Sequence, residues 1–87
     1  MNDRHYVYAV MDIWRADIED GAGVIGVYTN REDAVRAVLD RKKEVIDEMG
    51  IEYEQEEWKD GSYLGYNDSD ADYTNISIVS TELDRKE

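Results

Sequence analysis

Apolar and polar residues alternate from His5 to Trp14 (HYVYAVMDIW), with Val7, Ala9, Met11 and Ile13 on one face and Tyr6, Tyr8, Val10 and Trp14 on the other, where Asp12 interrupts. A period of two predicts a strand buried on one side. Arg15 to Gly23 (RADIEDGAG) is polar and glycine-containing, and Val24 to Tyr28 resumes β-branched and aromatic character, so a β-hairpin is expected. The period then changes. Thr29-Asn30-Arg31-Glu32 fits a capping box with the threonine as cap. Val35, Val38, Leu39, Ile46 and Met49 follow at helical spacing, Ala34 and Val45 widen the stripe, and Gly50 offers a left-handed stop. One amphipathic helix over residues 30 to 49 is predicted.

Beyond Gly50 strand character returns. Ile51 and Tyr53 alternate with acids, Trp58 closes the segment, and Asp60-Gly61 is the preferred dipeptide of a type I′ hairpin turn, after which Ser62 to Tyr66 pairs back. Asn67 to Asp72 (NDSDAD) is a loop by composition. Tyr73 to Thr81 is a last strand with Ile76 and Ile78 on one face, and Glu82 to Glu87 is expected to fray. The order ββαβββ describes one α+β domain, an antiparallel sheet of about five strands with the helix across one face, its strand order left open.

Charge and cysteine content narrow the function. In 87 residues there are 22 Asp and Glu against 10 Lys and Arg, a net charge of −12, and no cysteine or proline. Such an excess disfavours direct binding to nucleic-acid phosphates. The absence of cysteine excludes thiolate catalysis, disulfides and cysteine-ligated zinc or iron–sulfur sites. Apolar runs are only a few residues long and the amino terminus lacks a signal peptide's apolar core, so a soluble protein of the cytoplasm, away from membranes, is expected.

The chemistry-bearing motifs are weak. Gly21-Ala22-Gly23-Val24-Ile25-Gly26 matches G-x-G-x-x-G, but Asp17, Glu19 and Asp20 precede it and a strand rather than a helix follows, so no cofactor is expected. Asp68, Asp70 and Asp72 open like a calcium loop, yet Tyr73 and Val79 stand where such a loop needs glycine and a bidentate glutamate; an acidic turn without metal is expected. His5 is the only histidine, and no hydroxyl nucleophile has a base at a recognisable spacing, which leaves catalytic residues unassigned and points away from an enzyme. The sequons at Asn67 and Asn75 lack a secretory context and are read as chance matches.

The distribution of the charge says more than its total. Residues 1–50 carry 11 acids and 7 bases, whereas residues 51–84 carry 10 acids and 1 base. On a strand, Glu52, Glu54 and Glu56 would stand in one row about 7 Å apart with Glu57 opposite, and Asp60, Asp68, Asp70 and Asp72 would lie in nearby turns. Such a set repels itself unless something offsets it. Two or three adjacent rows begin to approach the charge density of a duplex, with one phosphate per roughly 3.4 Å of each strand. Tyr53 and Tyr66 fall among the acids, and tyrosine anchors interfaces once desolvated. These ten residues form the candidate partner-binding surface. Tyr63, Tyr73 and Trp58 lie in the same stretch, and about half of its aromatics are expected to serve as core.

Small size, strong acidity without cysteine, and acidic strands beside a single helix together resemble the phage-encoded DNA-mimic inhibitors, some anti-CRISPR and anti-restriction proteins among them. The resemblance covers bulk composition and the stretch from Glu52 to Asp72, without a diagnostic motif. It implies a non-enzymatic inhibitor acting in a host cytoplasm on a nuclease or another basic nucleic-acid-binding protein. Gly26 to Val38 (GVYTNREDAVRAV) is similar to the strand-to-capped-helix unit of many small phage and prokaryotic proteins. Two other readings stand beside this one: an ordinary small domain with an acidic surface suited to a high-salt cytoplasm, and a homodimeric regulatory or assembly module. The latter would join through a strand edge, for which His5 to Trp14 is the better candidate because it carries less like-sign charge than Glu52 to Glu57.

Overall fold

The computed structural model describes residues 5–16 and 19–83. Two long strands come first, β1 (His5–Ala16) and β2 (Glu19–Tyr28), then a helix α1 (Arg31–Lys42) continued by one π-helical turn (Lys43–Asp47), then β3 (Gln55–Lys59), β4 (Ser62–Tyr66) and β5 (Tyr73–Leu83). The α+β class and the ββαβββ order are as the hydrophobic pattern predicts. All five strands lie antiparallel in one sheet of order β2-β1-β5-β4-β3. β1 is therefore internal, hydrogen-bonded to β2 and to β5, which corrects its expected place at an edge. The true edges are β2 and β3.

The hairpin between β1 and β2 is tighter than composition suggested. Both strands continue through the polar stretch, and Arg15 and Asp20 are still paired, so Gly21, Gly23 and Gly26 sit within β2 and not in a turn. The connecting residues 17–18, with Asp17, lie outside the described residues. The register slips between Val10 and Met11, which face Gly26 and Val24, leaving Ile25 as the extra residue of a β-bulge. Strict alternation would place Val24 and Val27 on opposite faces; the bulge turns both outward, where Val24 is 63% and Val27 61% exposed. At the other end β5 runs through Glu82, which was expected to fray, to Leu83; the expected fraying of residues 84–87 lies outside the described residues.

The helix begins one residue later than expected. Asn30, with extended backbone, is the cap, and its side-chain oxygen accepts from the Glu32 N–H at 2.8 Å. Thr29 and Asn30 are both good capping residues, and it is Asn30 that makes the bond. Glu32 and Asp33 in the first turn and Arg41 and Lys42 in the last suit the helix dipole. The expected single helix to residue 49 instead widens at Lys43. By α-helical spacing Ile46 would sit about 80° round from Val38; one residue absorbed by the wide turn reduces this to about 20° and returns Ile46 to the sheet. The same shift leaves Met49 71% exposed, and Leu39 lies off the stripe at 50%. Gly50 has the left-handed φ of +71° that closes the segment.

The core lies between α1 and one sheet face. Val10, Ala34, Val38, Ile46, Tyr63 and Ile76 are buried, with Tyr8, Tyr28, Tyr53 and Ile78 packed against them. The β3–β4 turn has the left-handed φ at both positions that a type I′ turn requires, +52° at Asp60 and +85° at Gly61. Arg31 Nη2 donates to the Asp60 carbonyl at 2.8 Å, tying the start of the helix to this turn.

Candidate functional site

Residues 51–72 carry eight acids against the single base Lys59 and end at the β3 edge of the sheet. The predicted row of Glu52, Glu54 and Glu56 does not form. Residues 51–53 have no regular structure, Glu54 lies in a bend, and β3 begins only at Gln55, so the three carboxylates share no strand face. The reason is a stronger local demand on Glu54. Its Oε1 accepts from the Asp68 N–H at 2.7 Å, the Ser69 N–H at 3.0 Å and the Ser69 hydroxyl at 3.1 Å. In return the Glu54 N–H donates to Asn67 Oδ1 at 2.9 Å. This reciprocal clasp draws the bend before β3 onto the loop after β4, and a straight strand through Glu54 would break it.

Neutral donors hold the neighbouring acids in the same manner. Tyr63 donates to Glu56 at 2.7 Å and Tyr66 to Glu57 at 3.0 Å. Gln55 Nε2 donates to Asp68 at 3.1 Å; Asn67 Nδ2 at 3.2 Å and the Asp72 N–H at 3.0 Å both reach Asp70. Such hydrogen bonds orient a carboxylate and leave its charge in place, unlike a salt bridge. The phenols register that charge. Burial first, then the bond to Glu56, raises the Tyr63 pKa well above the ordinary tyrosine value, and the Tyr66 pKa is raised mainly by its bond to Glu57.

The ten predicted surface residues divide by place. Glu57 and Tyr66 lie with Asp70, Asp72, Leu64 and Tyr73 around one shallow depression on the sheet face away from the helix. Asp68 is exposed on the adjoining loop, Asp60 is exposed at the β3–β4 turn, and Glu52 is exposed ahead of β3. Glu56 is on the helix side, across from Gly65. Tyr53 is not a surface anchor. Its ring lies over Gly65, where a Cβ would meet it at 2.5 Å, and its hydroxyl bonds Thr74 Oγ1 at 2.5 Å in the half-buried interior. Trp58, by contrast, is 49% exposed on the edge strand, with its ring 4.9 Å from that of Tyr63.

One pair escaped the sequence reading altogether. Asp12, 4% exposed in the middle of β1, accepts from Arg41 Nε at 2.8 Å. Arg41 stands seven residues after Ala34 and three after Val38, in the stripe that faces the sheet, so a lone acid on a core-facing strand and a lone base in a core-facing helical stripe were the available signal. The pair sits in a cleft of about 360 Å³ beside the π-helical turn, with Trp14, Val45, Met49 and Tyr53 among its walls. Its buried polar groups are paired, Asp12 with Arg41 and Thr74 with Tyr53, and Arg15 and Glu19 stand at its exposed rim. No buried side-chain nitrogen or oxygen among the described residues lacks a partner.

Among the described residues no three His, Asp or Glu side chains are placed to hold a metal ion, and no helix is long and apolar enough to cross a membrane. Asp68, Asp70 and Asp72 thus do not converge; Asp68 accepts from Gln55 at the start of β3 and Asp70 from Asn67 in the loop. No family model, no curated protein and no solved structure matches the chain.

Proposed function

We propose that this protein is a non-enzymatic binding module of the cytoplasm whose acidic end, from Glu52 to Asp72, occupies a basic nucleic-acid-binding surface of a partner such as a nuclease complex. The observation that carries the reading is the way the acids are held. Glu54, Glu56, Glu57, Asp68 and Asp70 each accept from uncharged donors, so they are oriented before any partner arrives by groups that bring no opposing charge. Ordering that is already complete lowers the entropy lost on binding. Clustered charge of one sign steers association with a surface of opposite sign. Tyr66 and Tyr73 in the depression supply flat aromatic faces next to carboxylates, a combination that suits an arginine.

The test uses the full chain, tagged, to capture partners from host lysate at about 50 mM and about 500 mM salt, a range over which surface charges become strongly screened. The expected result is a nucleic-acid-binding protein recovered at the lower salt only and displaced by added duplex. Glu52→Gln, Glu57→Gln and Asp68→Asn together, which spare the Glu54 clasp, should weaken that recovery at least about tenfold. Capture unchanged by the triple variant, or unaffected by duplex, overturns the reading.

A further inference from the structure

The helix covers one face of the sheet, and the opposite face is open. By the register of the ladders this outer face carries Val27, Ala9 and Val79 side by side across three strands, then Val24 next to Met11, then Ile13. Val24 and Val27 are more than 60% exposed, Val79 48% and Ile13 41%. Contiguous aliphatic exposure of this kind marks an interaction site. Its charge is as informative as its apolarity. In a chain of net charge −12, the β2-β1-β5 part of this face holds one acid, Asp20, and one base, Arg15, opposite each other at its margin, and the acids of the depression lie beyond it at the β3–β4 end.

From this we infer that the outer face of the sheet, centred on Ala9, Met11, Val24, Val27 and Val79, is a self-association surface on which a second copy of this chain packs sheet to sheet. A basic partner is drawn to the acidic depression at the β3–β4 end of this face and not to its neutral β2-β1-β5 part, whereas two strongly acidic molecules can meet only where neither carries an excess of charge. The size fits a reversible contact. Thirty-three residues of β1, β2 and β5, rising about 3.4 Å each on strands about 4.8 Å apart, make a face of roughly 540 Å², about 1,100 Å² over two partners and in the range of weak, reversible interfaces. Pairing through the edges is resisted by both edge strands: β3 is exposed along its whole length and carries Glu56, Glu57 and Lys59, and β2 is bulged and rich in glycine. Face-to-face packing of twisted sheets needs no edge.

Sedimentation of the full chain over a micromolar to millimolar concentration series, at about 50 mM and about 500 mM salt, tests this. The expected result is a reversible dimer of twice the 10.1 kDa chain mass, tightened by salt because screening relieves the mutual repulsion of two acidic molecules. Val27→Lys with Val79→Lys should raise the dimer dissociation constant at least about a hundredfold, since each puts a charge into the contact. Both positions are already exposed, so the fold should survive; Val27→Thr with Val79→Thr is the milder pair and should weaken the dimer in the same direction. A monomer at every concentration overturns the inference. So does a dimer indifferent to both variant pairs, or one whose formation slows hydrogen exchange at the outer amides of β2 or β3, which would place the contact at an edge.

Discussion

Arg41 donates from Nε to the Asp12 carboxylate at 2.8 Å and so joins the last turn of the helix to the middle of β1. Asp12 is buried, while the Arg41 side chain is 34% exposed, so water reaches one partner and not the other. Removing the arginine strands a carboxylate in the core. Arg41→Ala should therefore destabilise the fold by about 2 to 3 kcal/mol, below the full range for breaking a buried pair because Arg41 is partly solvated. Asp12→Leu combined with Arg41→Met should recover most of that loss, as buried ion pairs replaced by apolar residues often do. Urea unfolding of the two variants against the parent measures the difference.

Tyr63 predicts the alkaline limit of stability. Its folded pKa lies above the ordinary value of 10.0, because the buried hydroxyl resists ionisation and donates to Glu56. The unfolded chain thus loses the proton first, and unfolding is favoured as pH rises. The contribution of this tyrosine is complete below pH 10 and declines above it by about 1.4 kcal/mol per pH unit until the folded group itself titrates. Tyr63→Phe should flatten this slope between pH 10 and 12, at a loss of about 1 kcal/mol at neutral pH for the hydrogen bond. Unfolding midpoints measured from pH 8 to 12 for both proteins check it; parallel curves would contradict the assignment.

The Glu54 clasp should be worth about 1 to 2 kcal/mol by analogy with a helix cap, since one carboxylate oxygen serves two backbone N–H groups and a hydroxyl. Glu54→Ala is expected to lose that amount and to speed hydrogen exchange at Asp68 and Ser69 before other amides. Glu52→Ala, two residues away on an exposed position, should leave both unchanged.

Salt separates stability from adaptation. Because Glu54, Glu56, Glu57, Asp68 and Asp70 are held by neutral donors, the domain should be folded in dilute buffer and gain only modestly from added salt, about 1 kcal/mol or less between 50 mM and 1 M. A chain unfolded in dilute buffer and rescued by molar salt would instead favour the high-salt reading of its acidity. Thermal unfolding at the two salt concentrations decides between them.

These features were legible to different depths in the sequence. The β1 alternation and the Asp60-Gly61 turn were readable because each is a local rule: a period of two, and a dipeptide that tolerates positive φ. Gly61 is doubly constrained, since a Cβ there would also meet Val35 Cγ2 at 2.8 Å. The bulge at Ile25 and the π-helical turn at Lys43 were not readable, because each adds one residue to a repeat in answer to a partner element that the local pattern does not contain. The acidic stretch was legible as composition and misjudged as geometry. Glu54 looks like a strand residue until Asn67 and Ser69, thirteen and fifteen positions on, are known to face it.

The strand order has a consequence for how the molecule is built. Because β1 pairs with β5, with His5 opposite Leu83, the central ladder of the sheet joins the first described strand to the last. A growing chain can form the β1–β2 hairpin and the helix early, but the middle of the sheet must wait for residues 73–83 to leave the ribosome. The longest loop in the fold is closed last, a topology that favours slow folding. Loss of β1 or β5 would take a strand from the centre of the sheet instead of peeling one from its edge.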